Sequence, residues 1–143
     1  MEAQVLTLRK HEKDFLARKD MKYVKEFQST VKNLQKNTMD LQLIADELNF
    51  EVPELSNFAK AVKDYAIQFD TVSALQVQIG LTPTTGLYGE LRSSVHEAEE
   101  ELKNSNSYKL LTYMLQLRRA ERDFMLRRDV KYLDKFDAGM QTF

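Results

Sequence analysis

The chain has 143 residues, of which 43% are hydrophobic and 30% charged, and its net charge is −1. Four glycines and two prolines in a chain of this length exclude a disordered segment and favour one ordered domain with a real core. No run of about 18 apolar residues is present, so no segment is expected to span a bilayer. No signal peptide is visible, and the absence of cysteine fits any compartment.

Apolar residues spaced by three and four predict two long helices, over residues 20–49 and 53–80. The first stripe consists of Val24, Phe27, Val31, Leu34, Thr38, Leu41, Ala45 and Leu48. The second consists of Leu55, Phe58, Val62, Tyr65, Phe69, Val72, Gln76 and Ile79. With no strand-like alternation, the predicted fold class is all-α, an elongated up-down bundle of the four-helix type with long, kinked helices.

A loop is predicted at residues 80–89, where "GLTPTTGLYG" holds three glycines and a proline. A third apolar stripe follows, formed by Leu91, Val95, Ala98 and Leu102. Residues 103–108, "KNSNSY", interrupt it before the pattern resumes at Leu110. Asparagine and serine compete for backbone hydrogen bonds, so this segment is either a kink or a turn capped by Ser107.

One stretch occurs twice: "LRKHEKDFLARKDMKYVKEF" at residues 8–27 and "LRRAERDFMLRRDVKYLDKF" at 117–136, with ten of twenty positions identical. Each copy carries seven Lys or Arg against four Asp or Glu. In both copies the apolar stripe shifts register by two residues, at "RKD" and at "RRD". Such a shift indicates a kink, a local change of winding, or a helix boundary with Asp20 or Asp129 as the cap.

Each copy also places a glutamate, Glu12 or Glu121, on the apolar side of its helix. A carboxylate there is costly unless it is paired. Arg9 and Arg118 stand one turn earlier, so we expect both glutamates to be buried and bonded to Arg or Lys. These groups either fix helix register as ion pairs or orient arginines that bind an anion.

Other function classes lack their motifs. The two histidines, His11 and His96, do not follow a glutamate by three residues, as a di-iron bundle requires. "GLTPTTG" lacks the lysine of a phosphate-binding loop. Basic and acidic residues alternate in the repeats, which indicates self-pairing rather than a track for phosphates. We therefore expect no enzyme activity, no metal, no cofactor and no nucleic-acid partner.

The doubled pattern R-x-x-E-x-D-F-(x)2-R-x-D-x-K-Y-(x)3-F resembles the periplasmic sensor region of bacterial methyl-accepting chemotaxis receptors, in its helical bimodular type. "GLYGELRSSVHEAE", residues 86–99, is similar to the stretch between the two motifs, and the resemblance covers about residues 5–136. It implies two stacked four-helix modules between two transmembrane helices. Residues 1–143 are then expected to be a single helical sensor domain, or an excised module of one, from a membrane-anchored periplasmic receptor.

The resemblance also implies a ligand, a small organic acid bound between helices close to a homodimer interface. The matching positions are Arg9, Arg18, Arg118, Arg127, Tyr23 and Tyr132, with Glu12 and Glu121 as supporting buried carboxylates. Ligand binding would displace a helix and signal to a transmembrane segment. The copies are unequal, because Lys10 and Lys13 correspond to Arg119 and Arg122. The alternative is a ligand-free helical scaffold or dimerisation module.

Overall fold

The computed structural model describes residues 1–104 and 107–142, and every regular element within them is a helix. The helices are α1 (Glu2–Arg18), α2 (Met21–Glu47), α3 (Pro53–Ile79), α4 (Gly86–Asn104), α5 (Tyr108–Arg127) and α6 (Lys131–Thr142). The all-α prediction is confirmed. None of the described helices combines the length and the apolar character needed to cross a membrane.

The two long helices lie where the apolar stripes predict them. α2 and α3 have 27 residues each, which at 1.5 Å per residue makes each about 40 Å long. Pro53 is the first residue of α3, where its missing N–H leaves no helical hydrogen bond unmade.

The two register shifts are helix boundaries, one of the three alternatives that the sequence leaves open. α1 ends at Arg18 and Lys19 follows with φ 54° and ψ 34°; α5 ends at Arg127 and Arg128 follows with φ 53° and ψ 32°. A left-handed residue cannot continue a right-handed helix. At these two places the structure has pairs of separate helices, so the kinked helices of the predicted fold class are not confirmed.

The interruption at residues 103–108 separates α4 from α5. Ser107 is the N-cap of α5, and its hydroxyl accepts a hydrogen bond from the backbone N–H of Leu110 at 3.5 Å. This is the capped turn rather than the kink, although residues 105 and 106 lie outside the described part of the chain.

The chain divides into a first compact unit, Met1–Tyr88, and a second that begins at Gly89. In the first unit α1 runs antiparallel to the N-terminal half of α2, since Asn37 on α2 donates to Gln4 on α1 at 3.1 Å. α3 is antiparallel to α2, with Gln28 donating to Asp70 at 3.1 Å. That the two units belong to one sensor domain stays a prediction.

The core of the first unit is built by residues from α1, α2 and α3. It consists of Leu8, Phe15, Tyr23, Val24, Phe27, Val31, Leu34, Val62 and Phe69. Two positions of the first predicted stripe are solvent-exposed, Leu41 at 42% and Leu48 at 71%. α1 has only 17 residues and reaches along α2 as far as Asn37, so the last turns of α2 extend beyond it.

The second stripe departs from the buried face of α3 near its C-terminal end. Val72 and Ile79 are 42% and 38% exposed, while Ser73 is buried instead and donates to the carbonyl of Asp70 at 2.9 Å. The buried face of α3 therefore drifts by one residue from the predicted stripe. Leu91, at the start of the third stripe, is also exposed, at 37%.

In the second unit α5 packs against α6, and the buried side chains among its described residues are Met114, Leu117, Ala120 and Tyr132. Leu133 and Met140 are 41% and 52% exposed. Their counterparts in the first copy, Val24 and Val31, are 4% and 7% exposed. Within the first unit α3 adds a third layer to the core, which accounts for the deeper burial there.

Candidate functional site

The doubled sequence forms the same helix–turn–helix unit twice. We call α1 and α2 with their connection at Lys19 and Asp20 the first hairpin, and α5 and α6 with the connection at residues 128–130 the second hairpin. In both, the left-handed residue donates its N–H to a phenylalanine carbonyl four residues earlier, at 2.7 Å. A residue of one hairpin corresponds to the residue 109 positions later in the other, as Leu8 does to Leu117.

An aspartate in each turn accepts a hydrogen bond from the beginning of the next helix. Asp20 accepts from the backbone N–H of Lys22 at 2.9 Å, and Asp129 accepts from that of Lys131 at 3.1 Å. The ammonium of Lys131 also lies 2.7 Å from the Asp129 carboxylate. Hydrogen bonds from Lys131 hold the pKa of Asp129 below its usual range, and the same pair raises the pKa of Lys131.

Four of the six predicted site residues meet in pairs across the two turns. The guanidinium of Arg18 lies 5.7 Å from the ring centre of Tyr23, and that of Arg127 lies 5.7 Å from the ring centre of Tyr132. Both tyrosines are buried. A cation over an aromatic face is attracted by the ring's negative potential, so each pair ties the end of one helix to the start of the next.

Arg9 and Arg118 lie apart from these pairs. Each is nine residues before the paired arginine on the same helix, about 13 Å away along the axis. Arg118 donates to Glu99 on α4 at 2.5 Å, and Arg9 is exposed. In neither hairpin, therefore, do the two predicted arginines lie together.

Glu12 has a tyrosine partner where the sequence predicts a cation. The hydroxyl of Tyr65 on α3 donates to the Glu12 carboxylate, and both side chains are half-buried. Burial, reinforced by this hydrogen bond, raises the pKa of Tyr65. The prediction that Arg9 bonds to Glu12 is wrong, because the Glu12 carboxylate bonds to Tyr65 on α3 and Arg9 is exposed to solvent.

Glu121 is half-buried as well, and its predicted partner bonds elsewhere. Burial raises the pKa of the Glu121 carboxyl; the charge of Arg118 opposes this shift and that of Glu99 adds to it. The guanidinium of Arg118 is held by Glu99 rather than by Glu121. Two carboxylates, Glu99 and Glu121, thus share the field of one arginine.

A groove of about 580 Å³ lies between α5 and α6. Its lining residues are Gln116, Leu117, Arg119, Ala120, Asp123, Arg127, Tyr132, Lys135 and Gly139. It contains two of the predicted site residues, Arg127 and Tyr132. Arg119 and Lys135 are the functional candidates that the sequence did not single out.

Two small residues of the sequence, Gly139 and Ala120, are the signal that could have indicated this groove. A Cβ on Gly139 would come within 2.7 Å of the Leu117 side chain, so α6 closely approaches α5 there. Ala120 adds a second short side chain to the lining. These two residues become informative only once the pairing of α5 with α6 is known.

The groove is cationic. Arg119, Arg127 and Lys135 face one carboxylate, Asp123, and among the described residues none of the three cations has a carboxylate at ion-pair distance. The ammonium of Lys135 lies 5.5 Å from the ring centre of Tyr132, on which Arg127 also sits. Guanidinium groups bind carboxylates through two parallel hydrogen bonds, so this arrangement suits a small organic anion.

Neither a metal site nor a relative adds to this description. Within residues 1–104 and 107–142, His, Asp and Glu side chains form no group of three or more that could hold a metal ion. Comparison with protein-family models, with curated proteins and with solved structures gave no match.

Proposed function

We propose that this chain is the extracytoplasmic sensor region of a methyl-accepting chemotaxis receptor, and that it binds a small organic acid in the groove between α5 and α6. The observation that carries the proposal is the cluster of Arg119, Arg127 and Lys135 around Tyr132. The groove volume of about 580 Å³ lies within the usual range for small-molecule sites, about 300–1,000 Å³. The doubled motif supplies the family resemblance.

The same geometry suggests how binding would become a signal. Arg119 and Arg127 belong to α5, whereas Lys135 belongs to α6, so one carboxylate ligand can contact both helices. The left-handed residue Arg128 connects them and is a natural hinge, because a small change in its φ and ψ reorients α6. A ligand that prefers the closer arrangement shifts the population towards it. In the intact receptor, a membrane-anchored homodimer in the periplasm, this displacement would pass to a transmembrane helix.

Isothermal titration calorimetry of the purified chain against acetate, succinate and citrate tests the proposal. We expect micromolar to millimolar binding of at least one acid, and a thermal stabilisation of about 2.7 kcal/mol at a hundred times its dissociation constant. Arg127→Lys should weaken binding by roughly tenfold, because the planar fork is lost while the charge remains.

Arg118→Lys is the matched control, because Arg118 lies outside the groove and bonds to Glu99. Its affinity for the acid should equal that of the parent. Absence of binding by all three acids would refute the proposed function. An equal loss of affinity in Arg127→Lys and Arg118→Lys would contradict binding of the acid in the groove.

A second candidate function, a ligand-free scaffold that associates with copies of itself, is favoured by one observation. The C-terminal part of α2 and the connection that follows it expose large apolar side chains in the first unit: Met39 at 67%, Leu43 at 60%, Leu48 at 71% and Phe50 at 69%. Exposed apolar patches of this kind mark association surfaces. Sedimentation of the parent and of Leu48→Lys would test it, because a dimer formed through this patch should dissociate in the variant.

A further inference from the structure

The two hairpins share their turns but differ in their grooves. Arg18 and Tyr23 of the first hairpin correspond to Arg127 and Tyr132 of the second, with the same 5.7 Å separation of cation and ring. At three groove positions the first hairpin is more crowded or more acidic than the second, with His11 against Ala120, Glu26 against Lys135, and Thr30 against Gly139. Two further positions differ without a change of charge, because Thr7 and Lys10 correspond to Gln116 and Arg119.

In the first hairpin these positions are occupied by interacting side chains. Nδ1 of His11 lies 3.2 Å from a carboxylate oxygen of Glu26, although the two groups are not in hydrogen-bond geometry. His11 is 15% exposed and Glu26 is 50% exposed. Glu26 therefore brings a carboxylate of the chain itself to the position where the second hairpin has Lys135.

The charge balance follows the same division. The second groove combines three cations with Asp123, a net charge of +2. At the corresponding positions of the first hairpin, Lys10 and Arg18 face Asp14 and Glu26, a net charge of zero with His11 neutral. Arg18 is also engaged, since its Nη1 donates to the Tyr23 hydroxyl at 3.0 Å and its Nε lies 3.8 Å from Asp14.

We propose that the chain binds one acid, in the groove of the second hairpin, and that the first hairpin is the same site closed by its own Glu26 carboxylate. The ligand class rests on the proposed function. Glu26 supplies the negative charge that an acid would bring, and the His11 imidazole fills the space that Ala120 leaves open. A dicarboxylate matches the net charge of the open groove.

Reciprocal grafts test this inference, with succinate as the probe in isothermal titration calorimetry. The closing graft, Ala120→His, Lys135→Glu and Gly139→Thr, should abolish the parent's single site. The opening graft, His11→Ala, Glu26→Lys and Thr30→Gly, should raise the stoichiometry from one succinate per chain to two. Far-UV circular dichroism checks that both grafts keep the parent's helix content.

A single substitution guards against misfolding of the grafts. Lys135→Glu changes an exposed residue and should weaken succinate binding roughly tenfold or more, because an attractive charge becomes repulsive. Lys109→Glu makes the same charge change on α5 outside the groove, and should leave affinity unchanged.

The outcomes separate this inference from the proposed function. A parent that binds two succinates overturns the inference and leaves the proposed function standing. A parent that binds succinate equally well after Lys135→Glu overturns both the inference and the assignment of the acid to this groove, and leaves only acid binding elsewhere on the chain. An opening graft that folds but still binds only one succinate overturns the closed-site assignment of the first hairpin. A parent that binds no acid at all refutes the proposed function and this inference with it.

Discussion

Removing one hydroxyl group, by Tyr65→Phe, tests how the first hairpin is joined to α3. The ring would stay in place, because it packs edge-on against Phe27 with the centroids 5.2 Å apart. What is lost is the hydrogen bond from the Tyr65 hydroxyl to the Glu12 carboxylate. The half-buried Glu12 would then have to find water at the α1–α3 contact.

The expected loss follows from the charge and the burial of the pair. A hydrogen bond to a charged group contributes about 1.5–3 kcal/mol, and the partial exposure of both side chains favours the lower end. We therefore expect Tyr65→Phe to reduce the free energy of unfolding by about 1.5 kcal/mol. For a unit of this size that corresponds to a decrease in melting temperature of roughly 6–12 °C.

The effect should depend on pH in a defined direction. Burial and Glu12 raise the pKa of Tyr65 in the folded chain above the ordinary 10.0. Between pH 10.0 and the raised pKa of the folded chain, the unfolded chain releases the phenolic proton while the folded chain keeps it. The free energy of unfolding therefore decreases as pH rises over this range. The stability difference between parent and variant should thus be full below pH 10 and shrink above it.

Urea titrations followed by circular dichroism, at pH 7 and in steps above pH 9, measure both effects. Tyr88→Phe is the control: it deletes a hydroxyl in the same unit from a ring whose contact is the Lys19 ammonium over its face. A Tyr65→Phe variant as stable as the Tyr88→Phe variant at pH 7 would refute the bond to Glu12. So would a stability difference that does not change above pH 10.

The remaining predictions concern the turns and Glu121. Asp20→Ala and Asp129→Ala should each reduce stability by about 1 kcal/mol, because each removes an N-cap hydrogen bond; equal losses in chemical denaturation would show that the two turns are equivalent. Arg128→Gly should raise stability by up to about 1 kcal/mol in the same assay, since glycine adopts φ 53° without strain; a loss would contradict the left-handed conformation. Burial raises the pKa of Glu121 in the folded chain, so the free energy of unfolding decreases as pH rises through that pKa. Glu121→Gln should therefore be more stable than the parent above that pKa, and it should have no advantage over the parent at more acidic pH.

Much of the helical architecture could be predicted because its signals are local. Pro53 marks the first residue of α3 to the exact position, and the stripe from Val24 to Leu34 identifies the buried face of α2. The exposure of Leu48 could not be predicted in this way. A residue on an apolar stripe is buried only if a neighbour covers it, and the reach of α1 along α2 is a property of the folded unit.

The candidate site was predicted in part for a similar reason. Arg127 and Tyr132 carry the repeated pattern and do lie together, because the turn that joins them is short. Arg118 also belongs to the pattern, yet it bonds to Glu99 on α4. The sequence gives no rule for choosing between a carboxylate one turn away, Glu121, and one on another helix.

By itself the sequence determined the long helices, the positions of their interruptions and the equivalence of the two register shifts. These features follow from apolar period, from capping aspartates and from doubled spacing, all of which act within a few residues. Only the tertiary structure decided what those turns bring together. Glu26 of α2 lies beside His11 of α1, and Lys135 of α6 lines a groove with Arg119 and Arg127 of α5. Both arrangements depend on which helices pair, and that pairing is made across the fold rather than along the chain.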